Sequence, residues 1–220
     1  MSRNQSILIA TAVGIVAIAS GMMFARALMH GSGAAQTGMQ AGLAKATLLT
    51  PPRPLPQFAL LDHTGAAFDP AQLKNHWSLL FFGFTRCPDV CPTTLGVLAQ
   101  VEKSLADLPV AQRPQVILVS VDPQRDTPEQ LAAYVRFFSP SFRGVTGTQQ
   151  AIDSLTRALG VPVAISKSPS GNGDYTVDHS AAIFLIDPQG ALRALFSTPH
   201  VPAVIAADYR LILTIPAPPQ

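Results

Sequence analysis

Hydrophobic and polar positions change rhythm several times along the chain. Residues 7–25, ILIATAVGIVAIASGMMFA, are apolar or small and carry no charge. Residues 26–50 are mostly small and polar, with no strong period. Beyond residue 51, short apolar runs alternate with helical patterns. Residues 57–61 predict a short strand, closed by a turn at Asp62-His63-Thr64-Gly65. Residues 78–85, SLLFFGFT, and 115–121, QVILVSV, are continuous apolar runs, the pattern of strands buried on both faces. Between them a helix is predicted from about Pro92 to Leu108.

Thr127-Pro-Glu-Gln130 opens a second helix, with Thr at the cap, Pro in the first turn and Gln three residues after the cap. It runs to about Phe138. Thr148 caps a third, QQAIDSLTRAL, which Gly160 ends. Residues 161–167 predict a strand and 168–174, SPSGNGD, a loop. Residues 181–187 and 191–197 flank Pro188-Gln189-Gly190 as a hairpin, and residues 201–213 form a closing helix. This order predicts an α/β domain over 51–215, with a thioredoxin-like mixed central sheet and helices on both faces, followed by a short tail at 216–220.

Nineteen uncharged residues at 7–25 would span about 28 Å as a helix, close to the roughly 30 Å of a bilayer's hydrocarbon core. They predict a transmembrane anchor, with residues 1–6 cytoplasmic and the large C-terminal part exported. The alternative is a cleaved signal peptide, whose apolar stretch is usually shorter. Residues 26–50 then form a flexible linker. A tether of about twenty such residues reaches about 25 Å, enough to meet a partner in the same membrane.

Composition narrows this further. The 220 residues are 48% hydrophobic, which excludes a disordered chain. The net charge is +2 and no basic stripe carries interleaved aromatics, so no nucleic-acid partner is expected.

The candidate chemistry lies in FTRCPDVCPTT, which holds both cysteines of the chain, Cys87 and Cys91, after a buried strand and before a helix. Strand ends of this kind collect sites in open α/β sheets. Pro92 suits the first helical position and should push Cys91 out of helical geometry, to the cap. Free N–H groups and the helix dipole there favour thiolate over thiol. Arg86 adds to that effect and Asp89 opposes it. Three readings stay open: a disulfide staple, a redox couple, or two ligands of a soft metal. A loop this small makes a weak staple.

A metal needs a further ligand. All five methionines lie in the first 39 residues. His63, His76 and His200 sit where turn, surface or loop roles suffice. His179, in Tyr175-Thr-Val-Asp-His-Ser180, directly precedes an apolar strand. If that strand runs antiparallel to SLLFFGFT, His179 faces the cysteines; the hairpin makes one of the last two strands antiparallel without saying which. Two thiolates and an imidazole suit copper better than a closed four-ligand zinc site.

FTRCPDVCP, SVDPQRDTPEQL and VDHSAAIFLIDPQG, in that order, resemble the Sco/SenC family of membrane-anchored copper proteins, over roughly residues 50–215 plus the anchor. The resemblance implies a thioredoxin-like fold with one copper ion, Cu(I) or Cu(II), on Cys87, Cys91 and His179. It implies a metallochaperone rather than an enzyme, acting on the dinuclear copper centre of cytochrome c oxidase subunit II. A copper donor protein and a thiol reductant are then further partners. The chain would sit in the inner membrane, single-pass, with its domain in the periplasm. The alternative is a thiol–disulfide oxidoreductase that keeps the cysteines of that centre reduced, with Cys87 and Cys91 as the redox pair. Asp122, Pro123 and Asp126 match a loop of the family and receive no ligand role.

Overall fold

The computed structural model describes residues 42–167 and 175–216. The expected anchor at 7–25 lies outside the described residues. Among the described residues, no helix is long and apolar enough to cross a membrane.

The two continuous apolar runs form the centre of the molecule. They are β4 (Ser78–Gly83) and β5 (Gln115–Ser120), paired in parallel, with every residue of β4 buried. β4 pairs on its other side with β9 (Ile183–Ile186), which runs antiparallel, Phe81 opposite Ile183 and Ser78 opposite Ile186. β9 pairs in turn with β10 (Ala191–Phe196), the second arm of the expected hairpin. β6 (Arg143–Thr146) lies parallel to β5. β2 (Leu60–Asp62) and β3 (Ala67–Phe68) complete that edge, and β1 (Ala46–Pro54) pairs with β10 at the other. The result is a mixed eight-stranded sheet in the order β1-β10-β9-β4-β5-β6-β2-β3. Helices α1 (Val90–Ser104), α2 (Pro128–Phe138), α3 (Gln149–Leu159) and α4 (Pro202–Thr214) flank it. α1 packs against both α2 and α4.

The caps follow the sequence. Thr127 Oγ1 accepts from the Gln130 N–H, and the Gln130 side chain accepts from the Thr127 N–H. Gly160 ends α3 in the left-handed conformation, at φ 70°.

Three expectations need correction. Residues 46–50, expected in the linker, form the first half of β1. Ala46 and Leu48 are buried, and the buried Asp208 carboxylate accepts the N–H groups of Ala44, Lys45 and Ala46 at 2.7–2.9 Å. The strand expected at 57–61 begins only at Leu60. Helix α1 begins at Val90 rather than Pro92, so Cys91 is inside its first turn. Proline there sacrifices no helical hydrogen bond, because first-turn N–H groups have no intrahelical acceptor.

Outside the main sheet, β7 (Val163–Lys167) and β8 (Tyr175–His179) form a separate antiparallel pair, with Val163 opposite His179. The loop expected at 168–174 lies outside the described residues.

Candidate metal centre

Cys87, Cys91 and His179 converge at the C-terminal end of β4. Their ligand atoms all lie within 4.8 Å of one another, and Cys91 Sγ is 3.2 Å from His179 Nε2. The sheet order explains how residues 88 positions apart meet. Because β9 runs antiparallel beside β4, the chain entering β9 arrives at the edge that β4 leaves. The strand left undecided by the hairpin is therefore β9, and β10 is one place further away.

Both cysteines are free; Cys87 is half-buried and Cys91 fully buried. The Cys91 N–H donates to Cys87 Sγ at 3.4 Å, so a sulfur fills the place of a side-chain cap that Asp89 leaves empty. Gly83 makes the Cys91 position possible: a Cβ at residue 83 would stand 2.8 Å from Cys91 Sγ and 3.0 Å from the Phe81 ring. The expectation that both sulfurs favour thiolate fails at Cys91. Burial pushes its thiol well above the usual range, against the smaller opposing effect of a backbone N–H at Phe84. Arg86 and Asp89, expected to act on the sulfurs, are both exposed.

His179 is held on both sides. Its ring meets the Phe81 and Phe84 rings edge-on, with centroids 5.8 and 5.9 Å away. Nδ1 lies 3.0 Å from the Ser180 carbonyl oxygen, to which it donates; Nε2 is then the unprotonated nitrogen, facing the sulfurs. Burial lowers the His179 pKa, although the Ser180 carbonyl and Asp178 act the other way. A neutral imidazole with a free Nε2 is the form that binds metal. An open cavity of about 350 Å³ adjoins Cys87 and His179, lined among others by Phe84, Pro88 and Tyr175.

Among the described residues, no fourth His, Cys, Asp or Glu joins this group. Two sulfurs and one imidazole fit a soft ion of low coordination number and leave a closed zinc site one ligand short. The other histidines among the described residues lie outside this group. His63 Nδ1 accepts from the Gly144 N–H at 2.9 Å, His200 Nε2 donates to the Ala181 carbonyl at 2.7 Å, and His76 is exposed.

The family model for SCO1/SenC matches residues 49–214. The chain belongs to this family. A Stutzerimonas stutzeri protein whose name is that of a copper-binding protein is 39% identical over 158 residues, which cover 71% of this chain and 75% of its own. The human mitochondrial SCO1 homolog is 37% identical over 152 residues, 69% of this chain and half of its own length. The structure of Bradyrhizobium japonicum ScoI with copper bound aligns at a TM-score of 0.64 and 34% identity, covering 72% of this chain and 99% of that one.

The sequence reading of this SCO1/SenC member missed three features around the site. Gly83 was legible in principle, as a lone glycine inside an apolar run. The aromatic wall of Phe81 and Phe84 looks like ordinary core. The pairing of β7 with β8 was hidden because the two strands are short and much of their surface is polar.

The second family motif, residues 120–131, is bonded to the strand end that leads into the cysteine loop. Buried Asp126 accepts from Ser120 Oγ at 2.6 Å, from Thr85 Oγ1 at 2.6 Å and from the Thr85 N–H at 3.1 Å. Burial raises the Asp126 pKa against these bonds. Asp122 and Asp126 are thus structural supports of the cysteine loop and its neighbours.

Proposed function

We propose that this chain is a copper metallochaperone that binds copper through Cys87, Cys91 and His179. In this reading it delivers the ion to the dinuclear copper centre of cytochrome c oxidase subunit II, from an anchor at residues 7–25 in the inner membrane, with its domain facing the periplasm. The observation that carries the proposal is the convergence of two sulfurs and a tautomerically fixed imidazole within 4.8 Å. Family membership and the copper-bound relative support copper as the ion.

The donors differ in access, and this orders the transfer. Cys87 and His179 are half-buried and border the open cavity, whereas Cys91 is fully buried. A partner thiolate therefore replaces one of these outer two ligands first. Cys91 leaves last, each step trading one ligand for another so that the ion is never bare.

The same proximity of the sulfurs supports a second reading, thiol–disulfide exchange. Cys87 thiolate attacks a partner disulfide and releases one partner thiol. Cys91 then attacks the mixed disulfide, releases the second thiol and leaves a Cys87–Cys91 disulfide. Two electrons pass to the partner, and a thiol reductant must return them.

Copper titration of the reduced chain, against a competing chelator and with spectroscopy of the bound ion, tests the first reading. Wild type is expected to take up one ion. Cys87→Ser and Cys91→Ser should lose binding, and His179→Ala should lose most of its affinity while keeping its cysteine redox chemistry. No uptake by the reduced chain would end the chaperone reading; full affinity without His179 would end the ligand assignment.

A further inference from the structure

His179 is at the end of β8, and β8 has no hydrogen-bonded strand partner in the main sheet among the described residues. Three residues link β8 to β9, which anchors the end of β8 beside the cysteines, and the rest of β8 needs its own attachment. Tyr175, Val177 and His179 alternate onto one face of β8. Val177 is buried, and Tyr175 starts the strand, about 13 Å from His179 along an extended chain.

Tyr175 is held by three contacts to one loop. Its hydroxyl donates to Asp122 Oδ1 at 2.6 Å. Its carbonyl oxygen accepts from Arg125 Nη1 at 3.1 Å. Its ring lies under the Arg125 guanidinium, 3.7 Å from centroid to Cζ. Arg125 Nε pairs with Asp122 Oδ2 and completes the triangle. The Asp122 N–H donates to Ser120 Oγ at 3.1 Å, and Ser120 Oγ donates to Asp126, which in turn holds Thr85. Thr85 is two residues before Cys87. The arm bearing the imidazole and the arm bearing the sulfurs therefore hang from the same loop, residues 120–126.

We propose that Asp122, Arg125 and Tyr175 form a latch that holds β8 and so sets the position of His179 relative to Cys87 and Cys91. They are positioning residues that act through His179. The inference rests on the copper reading of the site and gives a role to the motif that supplies no ligand. With the latch open, β8 populates positions from which Nε2 cannot reach the ion, and apparent affinity falls by the fraction of molecules still competent.

The test uses the full-length reduced chain in mild detergent. Cu(I) affinity and dissociation rate are measured for wild type, Tyr175→Phe, His179→Ala and the double variant. Tyr175→Phe keeps the ring over Arg125 and removes one hydrogen bond to a carboxylate. About tenfold weaker binding is expected, with no further loss when His179 is already alanine. Nuclear magnetic resonance of the copper-free chain gives an independent readout: the His179 ring resonances should shift or broaden in Tyr175→Phe. Unchanged affinity and unchanged ring resonances would overturn the latch. So would an equal loss with and without His179, which marks a general structural effect. If Tyr175→Phe does not fold, Arg125→Lys enters the same cycle, since it keeps the charge beside Asp122 and loses the planar stack. A wild type that binds no copper overturns the copper reading itself. The ring resonances then decide the latch alone.

Discussion

At the scale of single residues, the site divides its proton chemistry between unlike groups. Burial keeps Cys91 protonated at neutral pH, while it keeps His179 neutral and ready to bind. In the proposed site, copper uptake therefore has to expel the Cys91 proton, whereas His179 has none to give until the solution is acidic. The sign follows: lower pH favours the thiol and opposes the metal. Affinity should fall by at least about tenfold per pH unit on acidification from pH 8, since one expelled proton contributes that slope. Below the lowered His179 pKa the slope should steepen, because a proton on the imidazole then competes in addition to those on sulfur. Competition titrations from pH 8 to pH 5 would measure it, and a flat profile would contradict Cys91 as a ligand.

At the scale of elements, β1 is the one that depends most on a distant side chain. Asp208, on α4, accepts from three consecutive backbone N–H groups at the start of the strand. Asp208→Ala strands these donors beside a buried site. A loss of about 3 kcal/mol is expected from hydrogen bonds to a buried carboxylate, read by urea unfolding, with amide exchange of Ala44–Ala46 accelerated most. Exchange at those amides equal to wild type would show that β1 docks through its pairing with β10 and the burial of Ala46 and Leu48, without Asp208. The same element marks where sequence reading stops. Residues 46–50, ATLLT, are too short and too close to Pro51-Pro52 to announce a strand, and the side chain that holds Ala46 is 162 residues away. β4, β5, the caps at Thr127 and Thr148 and the ending at Gly160 were legible because their signals are local. His179 was legible as a candidate for a different reason: it is the histidine that directly precedes a core strand. Its pairing with Cys91 depends on β9, not β10, lying against β4, which the order of residues alone does not decide.

At the scale of the whole molecule, copper would add a tie between two sheets that share no strand pairing and are joined by a three-residue link and side-chain contacts. Cys87 and Cys91 follow a strand of the eight-stranded sheet; His179 belongs to a two-stranded one. An ion held by all three ties the small sheet to the large one and stabilises only the folded chain. At free copper about a thousand times the dissociation constant, that linkage is worth about 4 kcal/mol, or roughly 10 °C in melting temperature for a chain of this size. The gain should be unevenly spread. β4 and β5 are already buried in the sheet and have little to win, whereas β7 and β8 acquire an attachment beyond those of Tyr175, Val177 and the His179 ring. Amide exchange of the reduced full-length chain, with and without Cu(I), should therefore slow most at residues 163–167 and 175–179. In His179→Ala the cysteines can still hold the ion but no longer reach the small sheet, so the extra protection of those residues should vanish while part of the melting shift remains. Protection of β7 and β8 that persists without the imidazole would mean that copper stiffens the fold through the cysteine loop alone, and that the two sheets are joined by side-chain packing rather than by the ion.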